Sequence, residues 1–509
     1  MKNLFAILLL FLSLPAFNQT GVVRLELDAS LNSDIYKLVP LHEQGFLLFY
    51  ETKDEAGPQS KLWFFTHYDR SFAEVWRANV PVIEGASFQD FFLKDSSLYL
   101  FFLNNNKVKQ DVENFQLLTI DLAKKISVET KGILPQDSRF IEFFITNKNI
   151  VIGLNHKNEQ AGIYIINQET NKINEFIVRY PDQNFIEDIA YDPYTGQVTG
   201  IISNYISRRQ NKLYLLTLST DAEFVADMEL SPVVQGKYLN TARLFIADSA
   251  TYYLLGTYSN LASKIPGQSE YFGIESAGAF ATRITNKQQE FMNYYNFMEF
   301  RNLRSGISAR DFYRLQKKKG REESEYSVNY ELLTHDIQRH DSSLVMMFEA
   351  YYPEFRTVSD MSYDYWGRPV THTYSVFEGY RFFNTILAGF DYEGELIWDN
   401  SLEINTSPTT ALEKKSACFF DGEPVLLFYN DGSKIAYRIS LKNADLEPFT
   451  VMDIETSEFG DKITAVGRNY MTHWYGYTFL AYGYHTIRNN MLTDKNERTV
   501  FYINKIALE

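Results

Sequence analysis

Residues 97–103 read Ser-Leu-Tyr-Leu-Phe-Phe-Leu. Successive side chains of a strand point to opposite faces. A run that is apolar at six consecutive positions therefore needs cover on both faces. It is strand-length, and turn-forming residues flank it, Asp95-Ser96 before and Asn104-Asn105 after. Seven other runs share this character. They are Gly45–Tyr50 (GFLLFY), Asn149–Leu154 (NIVIGL), Gln197–Ser203 (QVTGIIS), Thr251–Tyr258 (TYYLLGTY), Ser343–Phe348 (SLVMMF), Pro424–Tyr429 (PVLLFY) and Tyr475–Tyr482 (YGYTFLAY).

The eight runs start at 45, 97, 149, 197, 251, 343, 424 and 475, so their spacings are 52, 52, 48, 54, 92, 81 and 51. A period near 50 is the size of a four-stranded propeller blade. In a simple sandwich one face of each strand meets water. In a propeller a blade's inner strand lies between two neighbouring blades and is buried twice. The expected fold is all-β, an eight-bladed β-propeller of four-stranded blades, with seven blades as the alternative count.

A second landmark follows each run: strand, polar turn, strand. Phe64–Val80 reads FFTHYDRSFAEVWRANV, and Leu387–Leu402 reads LAGFDYEGELIWDNSL. Aligned on Asp69 and Asp391, Trp76 and Trp398 fall seven residues later in both. Weaker copies surround Asp121, Asn167, Ser219, Thr285 and Ser440. A hairpin tip needs a polar, turn-forming residue, and the strand beyond it needs a large anchor. The last unit has one strand too few, ending on Thr499–Ile506, while Val22–Leu27 is a spare strand at the other end. Pairing these two segments closes the ring and removes its exposed edges.

The two long spacings predict insertions. Residues 293–326 read as helical, with Ser308 and Asp311 at capping-box spacing before Phe312 and Leu315. Residues 353–380 contain Tyr363-Asp364-Tyr365-Trp366-Gly367-Arg368-Pro369 and read as an ordered loop or short hairpin. Tyr363, Tyr365, Trp366 and Arg368 are the candidate partner-binding residues, because Tyr, Trp and Arg dominate interface energetics. The alternative is that they fold the insertion back onto the ring.

Residues 1–18 have the layout of a secretory signal peptide: Lys2, an apolar stretch from Leu4 to Leu14, then Pro15 and Ala16. The stretch is too short for a membrane span. Residues 19–509 then form one propeller domain, exported to the periplasm, with no transmembrane segment of its own. The single cysteine, Cys418, permits no intrachain disulfide, and a chain this long buries enough surface without one. The formal net charge is −15, which argues against a nucleic-acid partner, since phosphate binding needs a basic surface. The one dense basic run, Lys317–Arg321, is followed at once by Glu322 and Glu323 and reads as a solvated loop.

No nucleophile elbow, zincin, Walker or dinucleotide-binding motif is present. No catalytic, cofactor-binding or metal-ligating residue is assigned. His335 and His340 lie five apart, which in one strand sends them to opposite faces. His372, His473 and His485 meet only through the fold. Asp188, Asp192 and Asp364 read as turn or rim residues, and His473-Trp474-Tyr475-Gly476-Tyr477 as core or pore lining.

Asp391-Tyr-Glu-Gly394-Glu-Leu-Ile-Trp398 resembles the repeat of quinoprotein-type propellers, which implies fold; that family's adjacent cysteine pair is ruled out, since Cys418 stands alone, and no residues are assigned to its quinone or calcium. The whole chain, with its unlipidated signal, aromatic-rich blades and the phrase FDYEGELIWDNSLEI (Phe390–Ile404), resembles exported propellers of the Bacteroidota cell envelope. That group includes the plug subunit of the type IX secretion translocon. The resemblance implies a non-catalytic periplasmic interaction scaffold, peripheral to the outer membrane, whose partner is an outer-membrane β-barrel translocon with a pore to occlude. Two alternatives stand beside it. A carbohydrate-active or other hydrolytic propeller needs convergent carboxylates at the axis, one with a raised pKa. A ligand-sensing propeller needs only a central cavity.

Overall fold

The computed structural model describes residues 23–508 except 32–34, 58, 106–111, 159, 208–209, 261–273, 307–328, 421–424, 441–448 and 492–495. Its strands form eight antiparallel sheets, seven of four strands and one of six. In chain order the blades occupy 37–83, 87–132, 138–177, 183–229, 238–296, 330–403, 416–453 and 462–507, here blades 1 to 8. The segment Arg24–Asp28 supplies the fourth strand of blade 8 by pairing with Glu497–Ala507, Arg24 opposite Asn504 and Leu27 opposite Phe501. The ring is closed by its two ends, as the strand count required.

Eight apolar clusters separate the eight sheets, one between each pair of neighbours. Blades 1 and 2 share Phe49, Phe65, Leu98 and Phe102. The last cluster joins blade 8 to blade 1 through Trp474, Tyr484, Phe501 and Phe46. This circular set of cores, rather than any single sheet, makes the molecule an eight-bladed β-propeller. The doubly apolar runs follow from it. In Ser343–Phe348, Leu344, Met346 and Phe348 face blade 5, whereas Val345 and Met347 face blade 7.

Each run is the second strand of its blade and not the innermost one. The first strands line the axis, where those of blades 2 to 5 approach their neighbours. The second strand is the most doubly covered because it has a strand on each side and a blade on each face.

The polar turn residues act as local caps. Asp69 Oδ1 accepts the N–H groups of Ser71 and Ala73 at 2.8 and 2.9 Å, and Asp391 Oδ1 those of Glu393 and Glu395. Asp121, Asn167 and Ser219 do the same in their blades. Trp398 pairs with Gly389, where any Cβ would lie 2.2 Å from the indole Nε1.

The insertions differ from the sequence expectation. Residues 293–296 belong to the strand Gln288–Asn296, and the helix spans Arg301–Gly306; Ser308, Asp311, Phe312, Leu315 and the basic run lie outside the described residues, as does the signal segment. The Asp399 carboxylate receives the N–H groups of Arg301, Asn302 and Leu303 at 2.8–3.0 Å, which docks this short helix on blade 6. The sixth blade exceeds four strands because its first strand is broken into Tyr330–Thr334 and Gln338–His340, and because Glu275–Ser276 adds to its edge. The segment 353–380 is no short hairpin: it is the distal half of two paired strands, Ser343–Tyr363 and Pro369–Phe390.

Candidate functional site

Three features stand out from the ring: a projecting arm, a charged axis and a cavity beside it.

The arm begins where blade 6 loses its neighbours. Residues 343–351 are buried, and beyond Tyr352 both strands become largely exposed. About eleven residues per strand extend from there, roughly 35 Å at the usual strand rise. Its base is clamped. Arg381 Nε donates to Glu354 Oε2 at 2.8 Å, and Tyr380 exchanges two backbone hydrogen bonds with Thr409. Tyr351, Tyr380 and Phe377 pack ring on ring above the clamp. Asp364 Oδ1 caps the turn by accepting the N–H groups of Trp366 and Arg368, and Gly367 takes the left-handed conformation, φ 71°. Tyr363, Tyr365 and Trp366 are 70, 94 and 73% exposed, and Arg368 stands beside them in solvent. All four predicted binding residues therefore sit together at the tip. Met361, Tyr374 and Val376 extend the exposed apolar surface down the arm, and they lie on both of its faces.

The axis carries chemistry that the sequence reading missed. The first strands of blades 2, 3, 4 and 5 each bulge at the same register, next to Asp90, Glu142, Asp188 and Thr241. A bulge inserts one residue and re-aims the next side chain. Repeated around the ring, it brings Asp90, Glu142 and Asp188 towards one centre, where Arg243 and Asp336 join them. Arg243 Nη1 lies 3.2 Å from Asp188 Oδ1, 4.0 Å from Glu142 Oε2 and 3.9 Å from Asp336 Oδ1. Burial works against the charge of this guanidinium, and the Asp188, Asp336 and Glu142 carboxyls more than offset it, so its pKa lies above the usual value. Burial pushes the Glu142 carboxyl well up, and the neighbouring Asp188 charge adds to it; burial raises Asp188 as well, against the pull of Arg243 and the Leu244 N–H. Burial also raises Asp90, to about 6. Asp336 escapes this: against the cost of its burial, Lys414 at 3.4 Å and Arg243 hold it below the usual carboxylate range. Asp188 is thus no turn or rim residue. Asp192 and Asp364 are turn residues, Asp192 capping Tyr194 and Thr195.

The cavity, about 700 Å³, opens beside the axis between blades 6, 7, 8 and 1. The break in blade 6 at residues 335–337 undoes the strand alternation, so His335 and His340 both line it, against the expectation of opposite faces. His42 and His473 join them from blades 1 and 8. Among the described residues no three His, Cys, Asp or Glu side chains have metal-binding geometry. His335 Nε2 lies 2.8 Å from Glu349 Oε1, whose buried carboxylate also accepts the N–H groups of Lys415 and Ser416. Cys418 lines the wall, and burial pushes its thiol well up. Trp474 turns inward to the core while its neighbours His473 and Tyr475 face the cavity. Nothing in their spacing foretold these meetings, since the lining comes from four blades whose residues lie up to several hundred positions apart.

No family model matches the chain, and no curated protein matches it. Among solved structures it is similar to the WD40 domain of SCAP from fission yeast, at 8% identity over 96% of this chain and 98% of that one, TM-score 0.42. A prolyl endopeptidase matches at 8% identity over 90% of this chain and 55% of its own, TM-score 0.39. Prolyl oligopeptidase B from Galerina marginata matches at 10% identity over 68% of this chain, TM-score 0.31, and the match spans 37% of that enzyme. The ring of eight sheets and eight cores, and not these distant likenesses, establishes the architecture. Among the described residues no helix is long and apolar enough to cross a membrane.

Proposed function

We propose that the protein is an exported, non-catalytic interaction scaffold. It stands in the periplasm and docks through its arm on an outer-membrane β-barrel complex, occluding a secretion pore as do the plug subunits it resembles. One observation carries the reading: a braced two-stranded arm of roughly 35 Å that ends in an exposed Tyr363–Tyr365–Trp366 cluster. A ribbon of two strands is marginal alone in water. One whose apolar residues face solvent on both sides is stabilised by a partner that covers them. The test is a tagged capture from gently solubilised envelopes, with and without residues 353–380 replaced by a two-residue turn. Stoichiometric recovery of a large outer-membrane barrel, lost with the arm, supports the reading. Recovery of the protein alone in both cases overturns it.

A second reading, hydrolysis at the axis, is favoured by Glu142 and Asp188 converging on Arg243 in a buried setting that raises both carboxyls. A carboxyl raised by burial beside a second carboxyl is a pattern that acid-assisted glycoside cleavage uses. Turnover of a glycan panel that Glu142→Gln abolishes would establish it; a panel left intact would remove it.

A further inference from the structure

We propose that the cavity between blades 6, 7, 8 and 1 binds an amphiphilic organic anion: a flat apolar body carrying a carboxylate or sulfonate. The site is separate from the arm. Its volume, about 700 Å³, falls within the range of small-molecule sites. Its lining divides by chemistry. Met347, Met471 and Phe419 give an adaptable apolar floor, with Phe419 stacked on His473 at 5.0 Å. Thioether and aromatic groups of this kind accept flat apolar bodies of varied outline.

The polar part of the lining carries Arg339 and Lys414 against Asp336 and Asp341. Lys414 is paired with Asp336, which also faces Arg243. Arg339 lines the cavity from the short strand Gln338–His340, and its guanidinium has no ion-pair partner among the described residues. A planar guanidinium with free donors suits a carboxylate or sulfonate held through two oxygens.

His340 supplies an independent indication. Its side chain lines the cavity and is only 2% exposed, yet its Nε2 has no hydrogen-bond partner. Buried polar atoms are nearly always satisfied, and an exception calls for a ligand or ordered water. The broken first strand of blade 6 places Arg339 and His340 side by side at the cavity. The net charge of −15 disfavours anions over the chain as a whole, so recognition of one here rests on Arg339 and His340.

The experiment is a fluorescence titration of the full chain with two probes of one aromatic type. 8-Anilinonaphthalene-1-sulfonate carries the anion and N-phenyl-1-naphthylamine lacks it. The expected result is one saturable site per chain for the sulfonate. Arg339→Gln weakens the sulfonate about tenfold, in line with loss of a charged contact, and leaves the neutral probe within about twofold. The double variant Tyr365→Ala/Trp366→Ala retains both probes, which separates the cavity from the arm. Absence of saturable binding overturns the proposal. So does an unchanged sulfonate affinity in both Arg339→Gln and Lys414→Gln, or loss of binding in the arm-tip variant.

Discussion

The indole Nε1 of Trp474 donates to the carbonyl oxygen of Gly45 over 2.7 Å, tying blade 8 to blade 1. The same turn returns the contact, since His42 Nδ1 lies 3.3 Å from Trp474 O. Gly45 is required where it stands: its φ is 105°, and a Cβ there would lie 1.8 Å from Tyr68 O.

The closure therefore has a measurable energetic signature. Trp474→Phe removes one of the two donors to the buried Gly45 carbonyl, leaving the Leu41 N–H, opens a gap beside Phe46, and is expected to cost about 2–4 kcal/mol. Gly45→Ala is expected to cost a similar amount through strain and overlap, about 2–4 kcal/mol. Urea unfolding measures both, and wild-type midpoints in both variants would show that the ring closes without this latch.

At the axis, Arg243→Leu strands the buried Asp188 carboxylate. Breaking one side of a buried pair costs about 3–5 kcal/mol. Adding Asp188→Asn removes the stranded charge and is expected to recover part of the loss. The four-variant cycle reads the coupling directly. Additive losses would mean that the two side chains do not act as a pair.

Two buried groups give stability opposite pH slopes. Burial raises Asp90 from 3.8 to about 6. The folded state then binds the extra proton, so this contribution is present below about pH 4 and is lost as pH rises through 6. Burial lowers His485 from 6.5 to about 4, helped by the Arg24 charge. Its contribution is present above pH 6.5 and is lost as pH falls through 4. Relative to wild type, Asp90→Asn is expected to gain stability as pH rises from 4 to 6, and His485→Gln to gain as pH falls from 6.5 to 4. Chemical denaturation at pH 4, 5, 6 and 7 measures both differences, and slopes of the other sign would contradict the burial argument.

The arm tip is expected to separate binding from folding. Tyr365 and Trp366 touch each other, ring centroids 5.4 Å apart, and are otherwise in solvent. Replacing both by Ala should shift stability by no more than about 0.5 kcal/mol while abolishing capture of the partner. A large loss of stability would mean that the cluster packs on the ring.

Much of the ring was legible because it rests on local rules repeated eight times. Asp69, Asp121, Asn167, Ser219 and Asp391 each cap a hairpin within four residues, so the polar turn is a property of the segment itself. The doubly apolar runs are equally local, since burial on both faces leaves no room for alternation. The aromatic tip could be read as a cluster because its members are neighbours in sequence.

The sequence by itself determined the all-β class, the blade period, the pairing of the two ends and the residues now found at the arm tip. Only the tertiary structure decided that the 353–380 segment projects as an arm, and that Asp90, Glu142, Asp188, Arg243 and Asp336 share one axis. It alone placed His335 and His340 on one cavity. The physical reason is range. Caps and strand patterns act over a few residues and leave a mark in composition. The axis is built by one bulge in each of blades 2 to 5 and by the break in blade 6, and a one-residue insertion in a pleated strand leaves no periodic trace.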